Sequence, residues 1–256
     1  MHIRSPAVKF YLVFLWAMTE KEIKARYKKA VFGFLWVILN PLLQMLIIGF
    51  IFSFFIKIPN YFVFLFTGLL PWGFVSLSLS KTTPSFVYER TLLQKAKFHK
   101  STIPISIILS NFFHLLVSLG FLILFLVVAG KLPFPHILLI IPTLIWLLAF
   151  TIGFSLLSSS LQVKFRDINF FVQSLLMLLF YATPILYNLT LIPPDLRQAF
   201  ALNPLTSIFE LFHFATLSQG TINVQTLIVN ALMTFAIIAL GILIYNRESK
   251  NFVDWL

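Results

Sequence analysis

The chain has 256 residues, of which 59% are hydrophobic and only 11% charged, whereas an ordinary soluble domain is roughly 45–50% apolar and about 25% charged. So few charges cannot cover a soluble surface, and the absence of cysteine excludes a disulfide framework, a thiolate metal site and a cysteine nucleophile. A net charge of +11 otherwise suggests nucleic acid, but in a chain this apolar it serves topology and lipid contact, and no nucleic-acid partner is expected.

Residues 1–34 are too long for a simple tail. Arg4 and Lys9 precede an apolar run at 10–18, but Glu20, Lys21, Glu22 and Lys24 follow it in place of a small-residue cleavage site. That run is too short to cross a bilayer. Lys21, Lys24 and Lys28 then recur at helical spacing beside Ile23, Tyr27 and Val31. The pattern predicts an amphipathic helix in the interface, its basic face towards anionic headgroups; a plain basic anchor is the simpler reading of the same residues.

Beyond it the sequence predicts an all-α membrane protein with six transmembrane helices, at 35–56, 61–80, 103–129, 137–162, 168–187 and 224–245. The stretches 35–56, 61–80 and 224–246 contain no Asp, Glu, Lys or Arg, and about 20 such residues span a hydrocarbon core of roughly 30 Å. A β-barrel would show alternating segments of about ten residues. Of the Lys and Arg residues, sixteen fall in the segments 1–34, 81–102, 163–167 and the tail, against three on the other side: Lys57, Lys131 and Arg197. That asymmetry places both termini in the cytoplasm.

The 81–102 loop is charged but carries Phe86, Val87, Tyr88, Leu92 and Leu93. A short helix over 85–97, capped by Ser85 after Pro84, is predicted. Such a helix fits a socket in a soluble partner, and equally an amphipathic loop resting on the bilayer. Residues 188–223 hold Pro193, Pro194 and Asp195, then an apolar stretch too short to span before Glu210. Broken backbone at membrane depth survives only against protein or a water-filled cavity. The stretch therefore reads as two short re-entrant or interfacial helices at the outer side, broken near Asn203 and Pro204.

None of the eight acids lies inside a predicted span, which argues against an ion-gradient carrier. His114 and His213 are the remaining midplane candidates, each more simply a hydrogen-bonded packing residue. No catalytic residue set emerges, there is no metal-binding spacing, and no GxxxxGK phosphate loop occurs. Work done by this chain must draw its energy from another subunit. The 31 Phe residues exceed what interface belts need. Most pack or face lipid, while Trp36, Phe50, Phe54, Phe180, Tyr181 and Tyr187 are candidates for lining a path along which sugar rings slide over aromatic faces.

Several motifs together resemble one family. The run EIKARYKKAVFGFLW at 22–36, followed by NPL at 40–42, resembles the entry to the first span in permeases of type-2 ABC exporters for lipid-linked polysaccharide. So do KFRDI at 164–168, TPILY at 183–187, NPL at 203–205 and ESKNFVD at 248–254, in order and over nearly the whole chain. Within that family the likeness is to O-antigen permeases, with teichoic-acid permeases close behind. It departs at Ala30, where the family usually has Ser. It departs again near Phe98, His99 and Lys100, where a proline turn is delayed to Pro104.

The resemblance implies a homodimer with two copies of a separate nucleotide-binding ATPase, which carries ATP and Mg; no cofactor is expected in this chain. It implies that 1–34 is a cytoplasmic interface segment and 35–256 a permease domain. Arg26, Tyr27 and Lys28 would then hold the lipid headgroup at the entrance, where basic side chains suit pyrophosphate. Tyr88, Glu89, Arg90, Leu92 and Leu93 would couple to the ATPase, and Asn203 and Pro204 would sit in a gate hairpin. The implied activity is export of undecaprenyl-pyrophosphate-linked, O-antigen-type polysaccharide across the cytoplasmic membrane. A drug exporter of the same architecture remains open. So does a glycolipid-processing enzyme using Asp195 and Glu210.

Overall fold

With no water at membrane depth, an apolar segment must satisfy every backbone N–H and C=O internally, and a helix does so. The computed structural model describes residues 6–28, 31–220 and 222–255, and these are helical with no strand. In chain order the helices are α1 Pro6–Tyr27, α2 Trp36–Phe52, α3 Tyr61–Thr82, α4 Ser85–Tyr88, α5 Arg90–Lys95, α6 Thr102–Val128, α7 Ile140–Lys164, α8 Ile168–Ala182, α9 Pro194–Ala201, α10 Thr206–Leu217, α11 Val224–Glu248 and α12 Phe252–Trp255. With their flanking 3-10 turns, five stretches are long and apolar enough to cross a membrane: Gly33–Phe52, Tyr61–Thr82, Thr102–Val128, His136–Lys164 and Val224–Asn251.

The run expected at 168–187 is shorter as a helix. α8 has 15 residues, about 22 Å at 1.5 Å per residue, and it stops because Pro184 disfavours helical geometry at the residue before it. Thr183 is accordingly extended, with φ −96° and ψ 142°. The following residues, Pro184 to Leu186, are buried rather than looped out. The Tyr61 hydroxyl donates to the Leu186 carbonyl at 3.0 Å. A Cβ at Gly68 would meet the Ile185 carbonyl oxygen at 2.9 Å, so only glycine lets this irregular backbone lie against α3.

α3 is the centre of the bundle. Of its span 72% is buried, against 6% of the first span. Leu65, Leu69 and Val75 of α3 meet Ile108, Leu115 and Leu122 of α6, Leu147 and Phe150 of α7, and Phe209 and Phe212 of α10 in one main core. Between α3 and α7 the contact is polar and small: Thr82 donates to the Ser155 hydroxyl at 2.9 Å and Thr83 to the Ser158 hydroxyl at 3.0 Å. α7 and α11 cross closer still. A Cβ on Gly241 would lie 2.2 Å from the Gly153 carbonyl oxygen, the close approach small residues permit where lipid supplies no hydrophobic drive.

One local expectation is corrected. The 85–97 helix is two helices, kinked at Glu89 (φ −94°, ψ 24°), and Ser85 does not cap it. The Ser85 hydroxyl donates to the Thr82 carbonyl at 2.6 Å instead, a local bond that competes with the cap. Arg166 and Asp167 form no ion pair, and Asp167 makes no side-chain cap for α8. Ala30 lies outside the described residues.

Candidate functional site

α1 runs beside the first half of α6 in the same direction. At its start Tyr11 meets His99 edge-on at 5.7 Å and Phe14 meets Phe98 at 4.9 Å. At its end Tyr27 sits edge-on over His114 at 5.4 Å. Phe10, Val13 and Trp16 recur every three residues and remain exposed, an apolar face suited to lipid. The charged second half pairs Lys24 with Glu20, and Lys21 with Glu89 at 2.9 Å, which ties α1 to the α4–α5 kink.

The last turn of α1 points Arg26 into the bundle. Its guanidinium bonds the His114 Nδ1 and the Asn111 Oδ1. Asn111 passes the connection on, its amide donating to the Ser78 hydroxyl of α3 at 3.1 Å. An arginine can only donate, so His114 accepts at Nδ1 and its proton sits on Nε2. That Nε2 is buried and has no partner. Among the described residues Arg26 forms no ion pair with a carboxylate, and Lys81 adds a second positive charge nearby, so an anion would complete the site. Burial pushes the Tyr27 phenol above its ordinary value, with the neighbouring guanidinium opposing that rise.

These groups border a cavity of about 570 Å³ between α1, α2, α3 and α6. Trp36, Asn40, Gln44, Phe74 and Ser118 complete its character: two aromatic faces, two amides and a hydroxyl beside one cation. Ser118 also donates to the Val37 carbonyl at 3.2 Å, fixing the start of α2 against α6. Of the residues predicted at the entrance, Arg26 and Tyr27 meet here, while Lys28 is exposed beyond the helix end. Trp36 is the one path aromatic that joins them. The sequence reading missed Asn111 and Ser78. Asn111 stands one turn before His114 on the same helix face, and that spacing was the available signal.

The other predicted residues lie elsewhere. Phe50 and Phe54 are exposed at the far end of α2, 5.5 Å apart. Phe180 packs on Trp72 at 5.5 Å and on Tyr181 at 5.2 Å, and the Tyr187 hydroxyl donates to the Tyr181 carbonyl at 2.6 Å. In the 81–102 loop Tyr88 is 79% exposed and Arg90 is exposed, Leu92 is half-buried and Leu93 is buried. Leu93 therefore anchors the loop rather than projecting from it.

Asn203 is buried at the α9–α10 turn. It donates to the Thr183 hydroxyl at 2.8 Å and the Ala182 carbonyl at 3.3 Å, and accepts from the Leu205 N–H at 3.0 Å. With Pro204 it clamps the hairpin to the end of α8. His213 shares a bond with Thr67 Oγ1 at 2.8 Å, donates from Nε2 to the Pro184 carbonyl at 3.0 Å, and stacks on Phe64 at 3.9 Å. It is a fully used packing residue. Asp195 is exposed in the first turn of α9, whereas burial in α10 pushes Glu210 up to about 7.

Residues 13–217 match the family described as ABC-2 type transporter. The chain belongs to that family. Among its relatives is an O-antigen export system permease protein RfbA of Klebsiella pneumoniae, 36% identical over 246 residues, 93% of each chain. A second protein of that name from the same organism is 34% identical over the same share. One from Myxococcus xanthus is 29% identical over 248 residues, 95% of each chain. As an ABC-2 transporter protein the chain is a multi-pass membrane protein and a transporter subunit rather than an enzyme. The matched region begins within α1 and ends with α10, so it takes in the cavity, the 81–102 loop and the hairpin.

Proposed function

We propose that this chain is the membrane subunit of an ATP-driven exporter that moves undecaprenyl-pyrophosphate-linked, O-antigen-type polysaccharide across the cytoplasmic membrane. The observation that carries the reading is the cavity at the end of α1. There a half-exposed guanidinium, bonded only to the neutral His114 and Asn111 side chains, stands beside two aromatic faces. Cation and N–H donors suit pyrophosphate oxygens, and aromatic faces suit a sugar ring beside them. The three relatives, each named for O-antigen export and matched along more than nine-tenths of their length, support polysaccharide over drug as cargo.

In this reading the chain crosses six times with both termini in the cytoplasm. The sixth crossing joins α8 to the buried 183–187 segment, whose irregular backbone is tolerated because it lies against α3. α1 works at the cytoplasmic interface, with its apolar face in the headgroup layer and its end over the cavity. α9 and α10 form the outer re-entrant hairpin. Two copies of the chain enclose the path, which would cover the bare flank of α2 around Leu46, Ile47 and Phe50. Two copies of an ATPase, supplying ATP hydrolysis with Mg, dock on the loop that projects Tyr88 and Arg90.

The test is export of surface polysaccharide by cells whose only copy carries Arg26→Ala, with the amount of inserted chain measured in parallel. Export should fall about 10–100-fold, the equivalent of one lost charge-assisted hydrogen bond at about 1.5–3 kcal/mol. Undiminished export at equal amounts of chain would sink the entrance role.

A further inference from the structure

Apart from the main core, a second hydrophobic cluster sits at the end of the bundle that carries the 81–102 loop. It comprises Phe86, Leu93, Ile103, Ile107, Leu156, Val163, Tyr245 and Phe252. Four separate parts of the chain meet there: the α4–α5 loop, the start of α6, the end of α7 and the tail after α11. The tail lies beyond the stretch that the family match covers, and no function discussed so far uses it.

Phe252 is the wedge. It is fully buried, with its ring 4.7 Å from Phe86 and 6.3 Å from Tyr245. Polar contacts hold the tail in register around it. Lys100 donates to the Ser249 carbonyl at 2.5 Å and lies 5.6 Å from the centre of the Phe252 ring. The Ser101 N–H donates to the Tyr245 hydroxyl at 2.7 Å. Lys164, at the end of α7, stands 5.4 Å over the Trp255 ring.

The loop's own side chains divide about this cluster. Phe86 and Leu93 point into it, while Tyr88 is 79% exposed and Arg90 is exposed. Phe86 and Tyr88 are two residues apart on one short helix, on faces about 200° apart. The seat of Phe86 therefore sets the direction in which Tyr88 projects. Phe252 is the floor of that seat.

We infer that the C-terminal tail is a positioning element for the docking loop, with Phe252 the positioning residue that aims Tyr88 and links the loop to α7 and α11. The inference rests on the reading of 81–102 as the ATPase-docking loop. Its mechanical content is specific. A push on Tyr88 and Arg90 passes through Phe86 to Phe252 and Tyr245, and through Leu156 and Val163 to α7. α7 and α11 are joined backbone to backbone at Gly153 and Gly241, so the two move as one unit.

The first experiment needs no ATPase. A spin label on Tyr88→Cys, in a chain with no native cysteine, reports loop mobility in the purified protein. Phe252→Ala should loosen the label and Phe252→Leu should restore most of the order. Tyr245→Phe keeps the ring and removes only the bond from Ser101, and it should loosen the label slightly; it serves if the alanine variant does not fold. A label equally ordered in Phe252→Ala, or in Tyr245→Phe where that is the variant in hand, overturns the inference.

The second experiment uses the full complex and compares polymer exported per ATP hydrolysed. Phe252→Ala should lower that ratio roughly tenfold, on the scale of a misplaced positioning group, with KM for ATP unchanged. Phe252→Leu should recover it. A tail that only stabilised the fold would change the amount of complex and leave the ratio alone, and that result overturns the inference. If the unsubstituted chain folds but binds no ATPase, while the label on Tyr88→Cys is ordered, the docking-loop reading fails instead.

Discussion

The cavity at the end of α1 and the hairpin of α9 and α10 are built from similar residues and use them oppositely. Each has a histidine, an asparagine and nearby aromatic rings. At the hairpin, His213 has both ring nitrogens bonded and a face stacked on Phe64, and Asn203 has both ends of its amide engaged. At the cavity, His114 has one nitrogen bound to Arg26 and the other unmatched, and Arg26 keeps its charge. Polar groups whose bonds are completed by the chain hold the fold. Arg26, half-exposed beside a space of about 570 Å³, is available to something else. The contrast separates two buried histidines that composition and position alone make alike.

The contrast can be broken by substitutions that ought to move function at one end and stability at the other. The largest effect on export belongs to Arg26→Ala, read per folded molecule because the change also leaves the buried His114 Nδ1 and Asn111 Oδ1 without their donor. His213→Ala should do the reverse. It leaves the Pro184 carbonyl short of a partner, while the Thr67 hydroxyl keeps its bond to the Phe64 carbonyl, and it opens a cavity beside Phe64, costing about 2–4 kcal/mol in stability. Export per folded molecule should stay at the wild-type level, and a loss specific to transport would blur the distinction. Asn203→Ala should cost less, about 1–3 kcal/mol for its buried bonds, read as a lower midpoint of thermal unfolding in detergent. His114→Gln sharpens the cavity end: its amide keeps an acceptor for Arg26 and an N–H donor, so folding and export should both largely hold, whereas His114→Leu removes both and should loosen Arg26 and lower export.

The spans were legible because uncharged runs of about 20 residues leave the backbone one solution in lipid. The basic asymmetry and the motif at 22–36 pointed to the α1–α2 junction, and Arg26, Tyr27 and Trp36 do meet there. The network around Arg26 was not legible from the residues near it, since Asn111, which it bonds, and Ser78, which Asn111 bonds in turn, are brought in by helices 85 and 52 residues away along the chain. The other path aromatics scatter to the far end of α2 and to the end of α8, because a 31-Phe composition gives no way to tell a ring in a core from one in a cavity. Leu93 was read as a docking knob from its place in a charged loop, and its burial follows from tail residues that local spacing could not connect to it.

Glu210 gives the most direct check on the hairpin. It is buried in α10, and burial raises its carboxyl to about 7 from an ordinary value near 4.5. A carboxyl with a raised value holds its proton in the folded chain at pH values where the unfolded chain has released it. Its contribution is therefore greatest below about 4.5 and is lost as pH rises towards 7, after which stability no longer changes with this group. Unfolding midpoints measured from pH 5 to pH 8 should fall in the wild-type chain. Glu210→Gln carries no titrating group and should flatten that slope and stand above wild type at pH 8. Because the hairpin's role in the contrast is to hold the fold, export per folded molecule should be the same in both. A Gln variant that is less stable at pH 8 would mean the carboxylate is held by a partner, and that the hairpin, like the cavity, keeps a charge for use.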